Sequence, residues 1–197
     1  LTGDATAAKG SHQAAIAFAS HGLGIARAGL GRPDEARTAF AQARSIFAAL
    51  DHHALVAFTL LDELHDVVLT YHAAHPAERR QLAAAAEASL GRTGGALRPG
   101  VSPRLTHLGC FVLDGRWDEA DAILRDLPEP GNAYFRRELT ATRTVLAYHR
   151  GASGQVWDEI LRLLPDGPAT EPGDVIHQEG LFLQRLAADV CLDRGNL

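Results

Sequence analysis

The hexapeptide Gly31-Arg32-Pro33-Asp34-Glu35-Ala36 returns, with one exchange, as Gly115-Arg116-Trp117-Asp118-Glu119-Ala120. In both places it joins two stretches whose apolar residues recur three and four positions apart, the spacing of one helix face. The glycine can take the left-handed conformation that ends a helix. The Asp-Glu pair then falls in the first turn of the next helix and meets the positive end of its dipole. Alanine suits the following position because the two helices cross there. The unit is helix, glycine turn, helix, and a chain that repeats it is predicted to be built of helical hairpins.

Three further junctions fall into register. Gly151 follows Leu146 to Arg150 and precedes Trp157-Asp158-Glu159-Ile160-Leu161, and Gly195 follows the apolar stretch Leu181 to Asp193. At the second junction glycine is missing, but His75-Pro76-Ala77-Glu78 supplies a stop and a proline-led restart. The junctions at 31, 75, 115, 151 and 195 are 44, 40, 36 and 44 residues apart, a variable period of stacked hairpins. Helices are predicted over 11–30, 33–50, 52–74, 76–91, 101–114, 117–127, 132–150, 154–164 and 174–194, which makes four hairpins and the first helix of a fifth. Residues 1–10 are expected to be a frayed or disordered lead-in, and 11–197 a single helical-repeat domain truncated at its C-terminal end. Without a helix after 174–194, Leu183, Leu186 and Val190 are expected to be partly exposed or covered by another copy of the chain.

Composition agrees with this plan. The chain holds 35 Ala against 15 Ile and Val together, with 28 Gly and Pro, which suits short helices divided by turns and excludes an all-β fold. Its net charge is −5, and the 18 arginines, with Lys9 the one lysine, alternate with Asp and Glu instead of forming a stripe. Direct nucleic-acid binding is therefore disfavoured. The uncharged run Ser11 to Ala26 contains Ser, His and Gln and is shorter than the roughly 18 apolar residues a bilayer span requires. No membrane association is expected. Cys110 and Cys191 sit far apart in apolar helical stretches without ligand spacing, as buried small hydrophobes of a reducing cytoplasm do.

With Ala36 as reference, Leu23-Gly24 stands twelve residues before it and Phe40 and Ala43 follow it, so Ala17 to Leu50 resembles a tetratricopeptide repeat at most of its small and aromatic packing positions. Ala48 and Arg27 depart from that pattern. The longer periods, with Trp117-Asp118-Glu119-Ala120 to Leu127, Leu161 to Pro165 and Leu183 to Asp189, are similar to the helical-repeat region of LuxR-type regulators with a large ATP-binding domain, the MalT-like group. The resemblance implies an all-α, right-handed superhelical solenoid of tetratricopeptide-like hairpins, about nine helices in all. It also implies a cytoplasmic binding and coupling module for signalling or transcription, set between an NTPase domain and a helix-turn-helix domain. The alternative is a free-standing tetratricopeptide adaptor that captures a peptide or protein.

Catalytic signatures are not found. A phosphate-binding loop needs Gly-Lys-Ser/Thr, and the one lysine follows Ala8. Gly151-Ala152-Ser153-Gly154 is one residue too short for a nucleophile elbow and is read as a hairpin turn. No enzyme activity and no cofactor are expected. Asp62, His65 and His72 lie three and seven apart on one helix face, with His75 three further on, but no closed ligand shell is predicted, so no metal is expected. The stronger candidate is a groove. First helices of stacked hairpins line the concave side, and the register puts His21, Asp62, His65, His72, Glu138, Tyr148, His149, Phe182, Arg185 and Asp189 there, where a protein or small effector would bind. The competing reading is a solvated wall that needs no ligand. Trp117 and Trp157, at second-helix starts, are assigned to inter-helix packing.

Overall fold

The computed structural model describes residues 2–93, 107–127, 133–164, 166–170 and 179–195. The chain is all-helical there, and no strand occurs among the described residues. Nine α-helices follow one another among them: α1 (Thr2–Gly29), α2 (Pro33–Ala49), α3 (His53–Asp62), α4 (Pro76–Gly91), α5 (Leu108–Leu113), α6 (Trp117–Asp126), α7 (Ala133–His149), α8 (Ser153–Leu163) and α9 (Glu179–Asp193). A π-helical segment, Glu63–Leu69, continues α3, and a 3-10 turn, Gly167–Ala169, precedes α9. The predicted helix starts at 101 and 174 lie outside the described residues.

Residues 2–10 form the first turns of α1. Ala5, Ala7 and Ala8 are strong helix formers and carry the helix through the weak positions Gly3 and Gly10. The chain gathers into two compact units, Leu1–Cys110 and Phe111–Leu197, whereas the sequence treats 11–197 as one domain. The division falls inside α5, a helix of six residues.

In the first unit, α1 packs on α2, α2 on α3, and α3 on α4. The α1–α2 turn closes at Gly31, φ 72°. There the Arg32 N–H donates to the Arg27 carbonyl (2.9 Å) and the Gly31 N–H to that of Ala28 (3.0 Å), satisfying carbonyls the helix end would otherwise orphan. Pro33 opens α2 at its first position, with Asp34 and Glu35 in the first turn. Ala28, Ala36, Phe40 and Val67 form one buried cluster, and Ala17, Ala43 and Phe47 another. Full burial of a ring such as Phe40 is worth about 1.5–3 kcal/mol.

Two features of this unit were not anticipated. The α2–α3 turn makes the same closure with Asp51, φ 61°, in place of glycine, and the His52 N–H donates to Phe47 O at 2.9 Å. The helix predicted over 52–74 also widens into its π-helical part. That segment touches α1, α2 and α4, and six of its seven residues are buried, Glu63 and Asp66 among them. A helix covered on so many sides loses the one-faced periodicity from which its register could be read.

In the second unit, Gly115 (φ 72°) and Gly151 (φ 85°) close turns with the same pair of bonds, Arg116 N–H to Phe111 O and Ala152 N–H to Ala147 O. Ala120 is fully buried, as is Ala36 at the equivalent position of the hexapeptide. α7 packs on α8 and α9, and α8 on α9. Gln184 ties α9 to the 3-10 turn through the Thr170 carbonyl (2.5 Å). Leu183, Leu186 and Val190 are thereby buried at 0%, 4% and 0% exposure, which overturns the expectation that they are exposed. Helices α7 and α8 and the 3-10 turn pack against α9, and Leu192 of α9 is exposed.

Candidate functional site

The predicted groove residues fall into separate groups. In the first unit, α1 presents His21 to α3: its Nε2 lies 2.9 Å from the Asp62 carboxylate and its Nδ1 3.1 Å from the Thr59 hydroxyl. Thr59 is fully buried and its hydroxyl donates to Leu55 O (2.8 Å). The imidazole stands edge-on to the Phe40 ring, centroids 5.9 Å apart. His21 and Asp62 are thus brought together across 41 positions of sequence. His65 lies half-buried on the π segment, and its carbonyl accepts from the Thr70 hydroxyl (2.8 Å).

A second group gathers around His72. Glu63, at 3% exposure, is held between two guanidinium groups of α2: Arg37, whose Nε is 3.6 Å away, and Arg44. Arg37 and Arg44 are seven residues apart, two turns of one helix face. Burial, with the charge of Arg37, draws Arg44 below the ordinary arginine value. Arg37 reaches onward to pair with Glu78 of α4, and its Nη1 lies 3.5 Å from His72 Nδ1. Glu78 is also 3.9 Å from His72 and 3.5 Å from His75. Removing the guanidinium partners would strand the buried Glu63 carboxylate, so the group bolts α2 to the π segment. Nearby, the Tyr71 hydroxyl donates to Ala28 O (2.5 Å), and burial followed by the charge of Asp66 raises its pKa.

The sequence analysis missed Arg37, Arg44, Glu63 and Glu78. One signal was present: Glu63 interrupts the apolar run from Leu60 to Leu64 beside Asp62, and a buried acid requires a partner.

In the second unit, the Tyr148 hydroxyl donates to Asp193 (2.6 Å), joining the end of α7 to the end of α9. That hydrogen bond, then desolvation and the charges of Asp193 and Asp189, push the Tyr148 pKa up to about 12. His149 stacks on Trp117, centroids 6.0 Å apart and planes 11° from parallel. Trp117 Nε1–H donates to Val112 O (3.1 Å), the packing role assigned to it. Trp157 lies under the Arg194 guanidinium, 5.4 Å from its centre. Arg185 and Asp189 are exposed on α9. Glu138 and Phe182 sit on α7 and α9, with side chains outside the described residues.

Cys110 is buried and Cys191 half-buried, and neither is in a disulfide. Among the described residues no helix is long and apolar enough to cross a membrane. No protein-family model, no curated protein and no solved structure matches this chain.

Proposed function

We propose that this chain is a non-catalytic, cytoplasmic binding and coupling module, a right-handed superhelical solenoid of tetratricopeptide-like hairpins. The observation that carries the reading is a contact pattern found within each unit. Besides the successive pairs α1–α2, α2–α3 and α3–α4 in one unit and α6–α7, α7–α8 and α8–α9 in the other, first helices of consecutive hairpins touch one another: α1 meets the π segment, and α7 meets α9. Hairpins in a repeat array pack in this way, each burying the face that its neighbour cannot bury alone.

Nine of the ten groove candidates lie on first helices and His72 just past the end of one, so on this reading a protein or small effector would meet them on the concave side. Coupling then arises if the occupant makes more contact in one curvature of the superhelix than in another, which shifts the population between them. In the regulator suggested by the resemblance, that shift would pass between an NTPase domain and a helix-turn-helix domain. The chain itself is expected to bind neither ATP, for want of a Gly-Lys-Ser/Thr loop, nor DNA, for want of a continuous basic face.

The test is Tyr148→Ala and Arg185→Ala in the longest natural protein that contains this chain, measuring effector-dependent activation and partner binding. Loss of response with helical content intact supports the coupling module. Loss of partner binding with no effector response at all would favour the adaptor. Unchanged behaviour in both assays would reduce the chain to a passive spacer.

A further inference from the structure

We propose that His72, His75 and Glu78 form a site for a borderline transition-metal ion such as Zn2+. One ligand atom from each residue lies within 4.8 Å of the others. His75 Nδ1 is 3.5 Å and His72 Nδ1 3.9 Å from the same carboxylate oxygen, Glu78 Oε2. Two donors bound at about 2.0–2.1 Å to one tetrahedral ion stand roughly 3.3 Å apart, so each imidazole nitrogen is already within well under 1 Å of its ligating distance from the carboxylate oxygen. Two imidazoles and one carboxylate suit zinc, copper or nickel; Mg2+ prefers an all-oxygen shell.

Local structure holds the three donors in place without an ion. The turn between the π segment and α4 is tied by the His75 N–H to His72 O (2.9 Å), and the Arg79 N–H donates to His75 O (3.2 Å). From beneath, the guanidinium of Arg79, a residue only 4% exposed, donates to the Ala73 carbonyl. Pro76 fixes the first position of α4 and so the offset from His75 to Glu78. The His72 and Glu78 side chains are each 22% exposed and that of His75 is 64% exposed, so the site opens to solvent on the His75 side.

Arg37 makes the proposal specific. Its guanidinium pairs with Oε1 of Glu78, the other oxygen of the ligating carboxylate, and lies beside His72 Nδ1, so its charge competes with a cation at both residues. It also pairs with Glu63, a contact it can keep when an ion takes Glu78. Removing a ligand and removing this competitor must therefore change affinity in opposite directions. The site lies within the first unit and does not depend on the scaffold reading.

The experiment is calorimetric titration of the purified chain with Zn2+ alone, with Mg2+ as control, on the wild type and on His75→Ala, Glu78→Gln and Arg37→Gln. The chain has ten histidines, so uptake by itself decides nothing and the variants carry the test. His75→Ala and Glu78→Gln are each expected to weaken Zn2+ binding at least tenfold, Arg37→Gln to tighten it several-fold, and Mg2+ to give no comparable heat. His75 is exposed and its variant will fold, which circular dichroism checks, so it decides the matter if another variant unfolds. Equal affinity of the wild type and His75→Ala would overturn the proposal, as would weaker binding by a folded Arg37→Gln variant.

Discussion

Gly24 of α1 lies directly beneath the ring of Phe40: a Cβ built on Gly24 would stand 2.7 Å from two ring carbons. No real Cβ tolerates that distance, so the missing side chain lets α1 and α2 cross with Phe40 between them. Gly24→Ala is expected to destabilise the chain by about 1–3 kcal/mol through overpacking. Gly22, in the same helix, has nothing within 4 Å of such a Cβ. Gly22→Ala should therefore stabilise by about 0.5–1 kcal/mol, because alanine is the better helix former. Chemical denaturation of both variants checks the contrast, and equal shifts would place the crossing elsewhere.

Asp51 and Gly115 make a second pair of opposite outcomes. Both close helices in the left-handed region, at φ 61° and 72°, and a Cβ on Gly115 would meet no neighbour within 4 Å. Only the backbone cost of about 1–2 kcal/mol is then at stake. Gly115→Ala is expected to lower stability by about 1 kcal/mol. Asp51→Gly is expected to raise it by somewhat less, since the exposed pairing of Asp51 with His53 (3.0 Å) is lost. Thermal melts of the two variants that move in the same direction would contradict this account of the turns.

The Tyr148–Asp193 bond predicts a pH dependence at the alkaline end. A phenol whose pKa is raised from 10 to about 12 in the folded chain keeps its proton there when the unfolded chain has lost it. Its contribution is complete below about pH 10 and is lost as pH rises through about 12, so stability falls with rising pH across that window. Asp193→Asn removes the charge and should return the Tyr148 transition toward pH 10. Ultraviolet titration of phenolate absorbance, with Tyr148→Phe to assign the step, measures it; an unshifted step in Asp193→Asn would rule Asp193 out as the cause.

Why the hairpins were legible and the clusters were not follows from the range of the forces involved. Gly31, Gly115 and Gly151 act within a few residues: the glycine, the helix it ends and the start of the next helix are all adjacent in sequence. His21 and Asp62 were placed on a common face because helical periodicity extends along α1 and α3. Glu63, by contrast, is held by Arg37 and Arg44 from another helix, 26 and 19 residues earlier, and periodicity in one helix does not name the partner in the next. The burial of Leu183, Leu186 and Val190 was missed for a related reason. Helix α9 was treated as half a hairpin, while the 3-10 turn at Gly167–Ala169 and its tie to Gln184 supply the missing cover.

The central claim is that the hairpins stack in one direction along the chain, and spin-label distances test it most directly. In a Cys110→Ala, Cys191→Ala background, pairs of labels join Arg32 in turn to His75, Arg116 and Arg150, exposed positions at or next to the first four junctions. Neighbouring helices pack about 8–10 Å apart, so each added hairpin should lengthen the distance by roughly 10 Å. The account predicts distances that rise in the order 32–75, 32–116, 32–150. A 32–150 distance equal to or shorter than 32–75 would mean that the chain folds back on itself, and the repeat scaffold would be wrong.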